Sequence, residues 1–128
     1  MGEEKKRLLV VDDELETTDY LKDYFKSRGL EVLSTNSGEE SLKLLSSFQP
    51  AIVLLDIRLE GSISGIEVLR RAKAAKTKAQ IVVVTAVEDE NVAEMARGLG
   101  ADGYLTKPFS LDALEREVLS HLKGSSIG

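Results

Sequence analysis

The sequence contains no cysteine, so neither a disulfide framework nor a thiolate metal site can form. This absence is compatible with a reducing cytoplasm, which is where we expect the protein to work. The first residues, MGEEKKRLLVVDDE, contain no long apolar segment. Neither a signal peptide nor a membrane span is therefore predicted, and we expect no membrane partner.

The chain also lacks an excess of positive charge and the usual phosphate loops. Its formal net charge of −5 disfavours nonspecific binding to nucleic acid, so we expect no direct nucleic-acid partner. Neither the pattern GxxxxGK[ST] nor the pattern GxGxxG occurs. A nucleotide is therefore not the obvious substrate.

Five short apolar runs alternate with five segments of helical periodicity along the 128 residues. The runs are residues 7–11, 30–35, 52–55, 80–84 and 102–106. The helical segments are residues 15–27, 38–48, 65–76, 89–99 and 110–123. This alternation predicts an α/β fold with a parallel sheet that is covered by helices on both faces.

Polar side chains stand at the carboxyl ends of these predicted strands. Asp12 and Asp13 follow the first run, Asp56 ends the third, Thr85 follows the fourth, and Lys107 follows the fifth. Because the carboxyl ends of parallel strands share one edge, we expect these side chains to line one pocket. Taken alone, Asp56 is better interpreted as a turn cap, so the pocket hypothesis rests on the other strands.

Such a pocket has the parts needed for phosphoryl transfer to an aspartate. Three close carboxylates repel one another unless a cation offsets their charge, and Mg²⁺ prefers oxygen ligands of this kind. One carboxylate can act as a nucleophile and form an acyl phosphate. A metal, an ammonium and a hydroxyl would then stabilise the charge on the phosphoryl oxygens.

The chain resembles the receiver domain of bacterial two-component response regulators from residue 8 to about residue 122. The resemblance rests on the order and spacing of VVDDE (10–14), VLLDIRL (53–59), VVVTA (82–86) and GADGYLTKPF (100–109). It implies a flavodoxin-like, CheY-like (βα)5 fold, with a doubly wound sheet of five parallel strands in the order 2-1-3-4-5. It also implies one receiver domain over residues 1–124, followed by a flexible tail, residues 125–128.

The same resemblance implies the acceptor and the metal ligands. Asp56 corresponds to the phosphate-accepting aspartate. Asp12 and Asp13 correspond to the acidic pair that holds Mg²⁺ together with Asp56. The backbone carbonyl of Arg58 corresponds to the remaining protein ligand.

It further implies the residues that respond to phosphorylation. Thr85 and Lys107 correspond to the hydroxyl and the ammonium that bind phosphoryl oxygens and complete the catalytic set with Asp56. Tyr104 corresponds to the aromatic switch residue, which turns inward when Thr85 moves. The peptide bond between Lys107 and Pro108 is expected to be cis.

The resemblance implies that the protein is a signalling switch controlled by phosphorylation, and not an enzyme. It implies autophosphorylation from small phosphodonors and autodephosphorylation. The expected partners are a sensor histidine kinase or phosphotransfer protein, and an effector domain or target protein that binds the face formed by residues 89–123. A homodimer is a further expectation.

Two other functions remain open. A metal-dependent phosphatase of the haloacid dehalogenase type would carry an acid two residues after the nucleophile, where this chain has Arg58. An interaction module that has lost phosphorylation would usually lack an acidic, threonine or lysine position, and none is lost here.

Four positions stand apart from this pattern. Glu60 occupies the place of a usual proline, in a loop that has one extra residue before Gly65. Arg58 and Val87 border the predicted phosphoryl site without orienting an attacking water, which predicts slow loss of phosphate. His121, the only histidine, is expected on a polar face of the last helix and without a role.

Overall fold

A computed structural model describes residues 5–59, 61, 63–86 and 90–126 as five parallel strands and five helices. The strands are β1 (Arg7–Val11), β2 (Glu31–Thr35), β3 (Ile52–Asp56), β4 (Gln80–Ala86) and β5 (Gly103–Lys107). The helices are α1 (Leu15–Ser27), α2 (Gly38–Ser47), α3 (Gly65–Ala74), α4 (Glu90–Gly98) and α5 (Leu111–Ser126). The strands form one sheet in the order β2-β1-β3-β4-β5, which confirms the predicted fold.

Each face of the sheet carries its own apolar cluster, because successive side chains of a strand point to opposite faces. In β1, Leu8 packs into the cluster beneath α1 and α5, whereas Leu9 packs into the cluster beneath α2, α3 and α4. Both side chains are fully buried. Burial on both faces explains why the strands are continuous apolar runs rather than alternating ones. Within the described parts of the chain, no helix is long and apolar enough to cross a bilayer.

Short polar residues and glycine set several helix ends. Ser37 accepts a hydrogen bond from the backbone N–H of Glu40, and Ser64 accepts one from Glu67, so each serine caps the helix that it precedes. Gly29 follows α1 with a φ of 91°, a left-handed conformation that glycine adopts without strain.

Two helices end two or more residues away from the end that the sequence predicts. Helix α3 stops at Ala74 rather than at residue 76, because Lys76 adopts a φ of 60° and leaves the helical conformation. Helix α5 continues past residue 123 to Ser126. The glycine at 124 does not stop it, since a glycine inside a helix costs only about 1 kcal/mol. Of the predicted tail, residues 127–128 lie outside the described part of the chain.

His121 does not lie on a free polar face. Its Nδ1 lies 3.0 Å from Oε1 of Gln80, and its Nε2 lies 3.0 Å from Oε2 of Glu117. The imidazole therefore links α5 to the first residue of β4. The sequence did not indicate this contact, because Gln80 and His121 are 41 residues apart.

Candidate functional site

The acidic cluster lies where β1 and β3 end side by side. Val11 and Leu55 are paired across these strands, so the aspartates that follow them, Asp12 and Asp56, are neighbours. Both are buried, each with 7% of its surface exposed, and Asp13 is half-buried beside them. One carboxylate oxygen from each of the three lies within 4.8 Å of the others. The structure thus brings together the three carboxylates that the sequence predicts.

Lys107 reaches this cluster from the end of β5. Its Nζ lies 2.9 Å from Oδ2 of Asp56 and 3.5 Å from Oδ2 of Asp12. Oε1 of Glu14 lies 3.5 Å from the same nitrogen. The ammonium therefore neutralises part of a charge that three carboxylates share.

Backbone amides orient two of the carboxylates. The N–H of Arg58 donates to Oδ1 of Asp56 at 2.9 Å, and the N–H of Glu14 donates to Oδ1 of Asp12 at 2.9 Å. Each amide lies two residues after the aspartate that it binds, as in an Asx turn. Since Lys107 binds the other oxygen of Asp56, both oxygens of that carboxylate have fixed partners.

Burial and charge shift two pKa values in the cluster. Burial raises the pKa of Asp12 above its ordinary value, and the charge of Asp56 adds to the increase. The amide of Glu14 and the charge of Lys107 offset only part of it. Burial alone would lower the pKa of Lys107, but the hydrogen bond to Asp56 and the charges of Asp56, Asp12 and Glu14 outweigh burial and raise it.

The donor set fits a hard divalent cation. Three carboxylates within 4.8 Å supply only oxygen ligands, and Asp13 at the half-buried edge leaves room for water ligands. Arg58 lines the same cleft, and its amide faces Asp56. The ligand role of the Arg58 carbonyl stays a prediction.

The cluster lies in an open cleft of about 840 Å³. Glu14 and Ser64 line it as well, and neither was a predicted site residue. Glu14 could have been found from its place next to the acidic pair. Ser64 could not, because its position depends on how the loop after β3 returns to the sheet. Glu60 and Val87, two of the positions that depart from the family pattern, lie outside the described residues.

Gly65 is a further residue on which the site depends. Its N–H donates to the carbonyl of Ile57 at 3.0 Å, so α3 begins directly against the end of β3. A Cβ at this position would lie 2.3 Å from the carbonyl oxygen of Asp56 and 2.6 Å from the Cα of Ile57. Only glycine allows this close approach of the two backbones.

Thr85 and Tyr104 lie on one face of the sheet. Tyr104 pairs with Val83 and Thr106 pairs with Thr85, so the two predicted switch residues are two positions apart on adjacent strands. Both hydroxyl oxygens are buried and have no hydrogen-bond partner among the described residues. Thr85 itself is 2% exposed.

Tyr104 does not line the acidic cleft. It lines a second cavity of about 460 Å³ between β5 and α4. Ala86, the residue after Thr85, lines both spaces and so lies between them. The peptide bond between Lys107 and Pro108, at the far end of β5, is cis.

Comparison with known proteins gives a consistent result. Residues 8–119 match the family model of the response regulator receiver domain. The chain is 34% identical over 122 residues to the alkaline phosphatase synthesis transcriptional regulatory protein PhoP of Bacillus subtilis, covering 95% of the chain and 50% of PhoP. It is 39% identical over 103 residues to the response regulator SaeR of Staphylococcus epidermidis, and this match covers 80% of the chain and 44% of SaeR. The chain thus spans about half the length of these relatives.

Solved structures agree on the fold. The receiver domain of a Francisella response regulator superposes with a TM-score of 0.86 at 24% identity, and the match covers 94% of this chain and 99% of that one. A likeness at this identity bears on the fold alone, and it supports the strand order described above.

Proposed function

Since this chain belongs to the response regulator receiver domain family, a family of signalling switches rather than enzymes, we propose that Asp56 accepts a phosphoryl group from a histidine kinase. One observation carries the proposal. Asp56 is buried at the end of β3, 2.9 Å from the Lys107 ammonium and within 4.8 Å of the oxygens of Asp12 and Asp13. The positive charge therefore lies close to the place where the negatively charged phosphoryl oxygens of an acyl phosphate on Asp56 would be.

In the transfer, an oxygen of Asp56 attacks the phosphorus of a phosphohistidine. The new P–O bond forms as the P–N bond breaks, and the imidazole leaves with a proton in place of the phosphoryl group. Asp12, Asp13, Asp56 and the carbonyl of Arg58 would hold Mg²⁺, which neutralises charge on the phosphoryl oxygens when bound. The amide of Arg58 keeps the Asp56 carboxylate oriented, and Lys107 offers its ammonium to a phosphoryl oxygen.

Thr85 and Tyr104 would carry the conformational response. The buried hydroxyl of Thr85 has no partner in the described structure, so a phosphoryl oxygen on Asp56 would supply the acceptor that it lacks. Movement of Thr85 would also move Ala86, which separates the acidic cleft from the cavity beside Tyr104. Phosphorylation would in this way change the packing between β5 and α4.

The output would reach a target protein or effector domain through the face formed by residues 89–123. Two large apolar side chains on this face are exposed, Met95 on α4 by 53% and Leu119 on α5 by 39%. Exposed apolar residues on both sides of the edge strand β5 suit a partner, a second copy of this chain included. A ligand of either kind shifts the switch only by binding its two states unequally. We place this activity in the cytoplasm, within a receiver unit of residues 1–124.

The test is to incubate the protein with Mg²⁺ and acetyl phosphate and to determine its mass. A gain of one phosphoryl group is expected, and it should be absent in Asp56→Asn and after removal of Mg²⁺ with EDTA. Asp23→Asn, at an exposed aspartate of α1, is the matched control and should gain the group normally.

Three results would contradict the proposal. If the protein gains no phosphoryl group, the interaction-module hypothesis is favoured. If Asp56→Asn still gains the group, the acceptor lies elsewhere. Steady release of phosphate over many turnovers would instead favour the phosphatase hypothesis.

A further inference from the structure

Arg97 and Tyr104 are in contact between α4 and β5. The guanidinium carbon of Arg97 lies 4.8 Å from the centroid of the Tyr104 ring, within the range of a cation–π interaction. Arg97 is exposed in the last turn of α4, and it makes no ion pair with any described residue. The ring of Tyr104 is thus the aromatic partner of a cation that has no ion-pair partner among the described residues.

Tyr104 packs against the apolar cluster of its sheet face, but this packing does not satisfy the whole side chain. On one side, Tyr104 borders the cavity of about 460 Å³, which Arg97 also lines. The hydroxyl is buried but has no hydrogen-bond partner in the described structure, which is an unfavourable arrangement. Another contact must offset this cost if the hydroxyl is to stay buried.

We propose that Arg97 is a positioning residue, whose guanidinium favours the inward position of Tyr104, with its hydroxyl buried, even before Asp56 is phosphorylated. The attraction is between a cation and the negative face of the ring. At an exposed site it would change the equilibrium between the buried and exposed positions of Tyr104 by about two- to fivefold. The proposal deepens the switch role proposed above for Tyr104. In the unphosphorylated protein, the equilibrium between the two positions of Tyr104 would then depend on α4 as well as on Asp56 and Thr85.

The same contact would link partner binding to the switch. A carboxylate on a bound partner would pair with Arg97 and compete with the ring for its charge. A partner that does so would release Tyr104. By reciprocity, the state of Tyr104 would change the affinity for that partner by the same factor.

The test measures the exposure of Tyr104 directly. The full chain is labelled with 3-fluorotyrosine, and the Tyr104 signal among the three tyrosines is assigned with Tyr104→Phe. A soluble gadolinium chelate then broadens each fluorine signal according to its exposure. Tyr20, which is 59% exposed, is the internal reference for a solvated ring.

Arg97→Met and Arg97→Lys separate charge from packing. Methionine keeps a long apolar stem without charge, and we expect it to raise the broadening of Tyr104 about two- to fivefold. Arg97→Lys keeps a cation, so the chelate should broaden the Tyr104 signal less in this variant than in Arg97→Met. Arg116→Met, at an exposed arginine of α5, is the matched control and should leave Tyr104 unchanged.

The proposal is overturned if Arg97→Met, folded by its circular dichroism and melting temperature, leaves Tyr104 as protected as it is in the unaltered protein. It is also overturned if methionine and lysine expose the ring equally. These measurements need neither Mg²⁺ nor a phosphodonor. A failure here is therefore distinct from a failure of Asp56 to gain a phosphoryl group.

Discussion

Lys107 and Asp56 are 51 residues apart in the sequence and join through a 2.9 Å hydrogen bond between Nζ and Oδ2. The bond spans the carboxyl edge of the sheet, from β5 past β4 to β3. It supplies a cation to a cluster of three aspartates, and it holds the ammonium next to the predicted acceptor oxygen. The same pair is therefore expected to serve both stability and phosphoryl transfer.

Replacing Lys107 by methionine should lower the free energy of unfolding by about 1.5–3 kcal/mol at neutral pH, the range for a hydrogen bond to a charged group. The raised pKa of Lys107 means that its stabilisation is fully present below the ordinary value of 10.5 and is lost as the pH rises above it. Urea unfolding of Lys107→Met, with exposed Lys78→Met as the control, measures the difference. Equal stability of the two variants would contradict the role of Lys107.

Asp12→Asn should stabilise the metal-free protein, by on the order of 1 kcal/mol near neutral pH. The pKa of Asp12 is raised in the folded state, so its ionised form opposes folding and stability falls as the pH rises through that pKa. The gain in the variant should therefore vanish as the pH falls below 3.8.

Added Mg²⁺ should reverse the order of the two proteins, because the variant has lost a ligand. Thermal melts with and without Mg²⁺ test this, with exposed Asp19→Asn as the control. The prediction is wrong if Asp12→Asn is less stable than the unaltered protein in the absence of metal.

Gly65→Ala should destabilise the fold by about 1–3 kcal/mol, the usual cost of an added group where there is no space. Its Cβ would meet the backbone of Asp56 and Ile57, so the acceptor itself must shift and its phosphorylation should slow. Gly98→Ala is the matched control, because nothing lies within 4 Å of its added Cβ, and it should be neutral or slightly stabilising. Equal melting temperatures for the two variants would argue against the close approach.

The phosphorylated protein should lose its phosphate slowly. Neither Arg58 nor Val87 is suited to orient an attacking water. Asparagine at position 58 and glutamate at position 87 could do so by hydrogen bonding. The double variant Arg58→Asn, Val87→Glu should therefore decay faster than the unaltered protein in Mg²⁺. Decay is followed by mass after removal of acetyl phosphate, and an unchanged rate would refute the idea.

The sequence pattern predicted the strands and the residues at their carboxyl ends, and the resemblance to receiver domains implied the strand order. Buried parallel strands must be apolar along their whole length, so a charged or hydroxyl residue marks the place where each one ends. Because such ends share one edge, the meeting of Asp12, Asp13, Asp56 and Lys107 followed from pattern and resemblance. No distance was needed to expect it.

Only the tertiary structure decided the contacts that cross between elements without a periodic signal. Arg97 over Tyr104, His121 against Gln80, and Gly65 against the backbone of Asp56 each depend on how one element is placed on another. A helix pattern specifies which face is buried, but not which side chain at its edge meets a neighbour. Asp56 could thus be chosen from the sequence, whereas the fixed orientation of its two oxygens, by Arg58 and Lys107, appeared only in three dimensions.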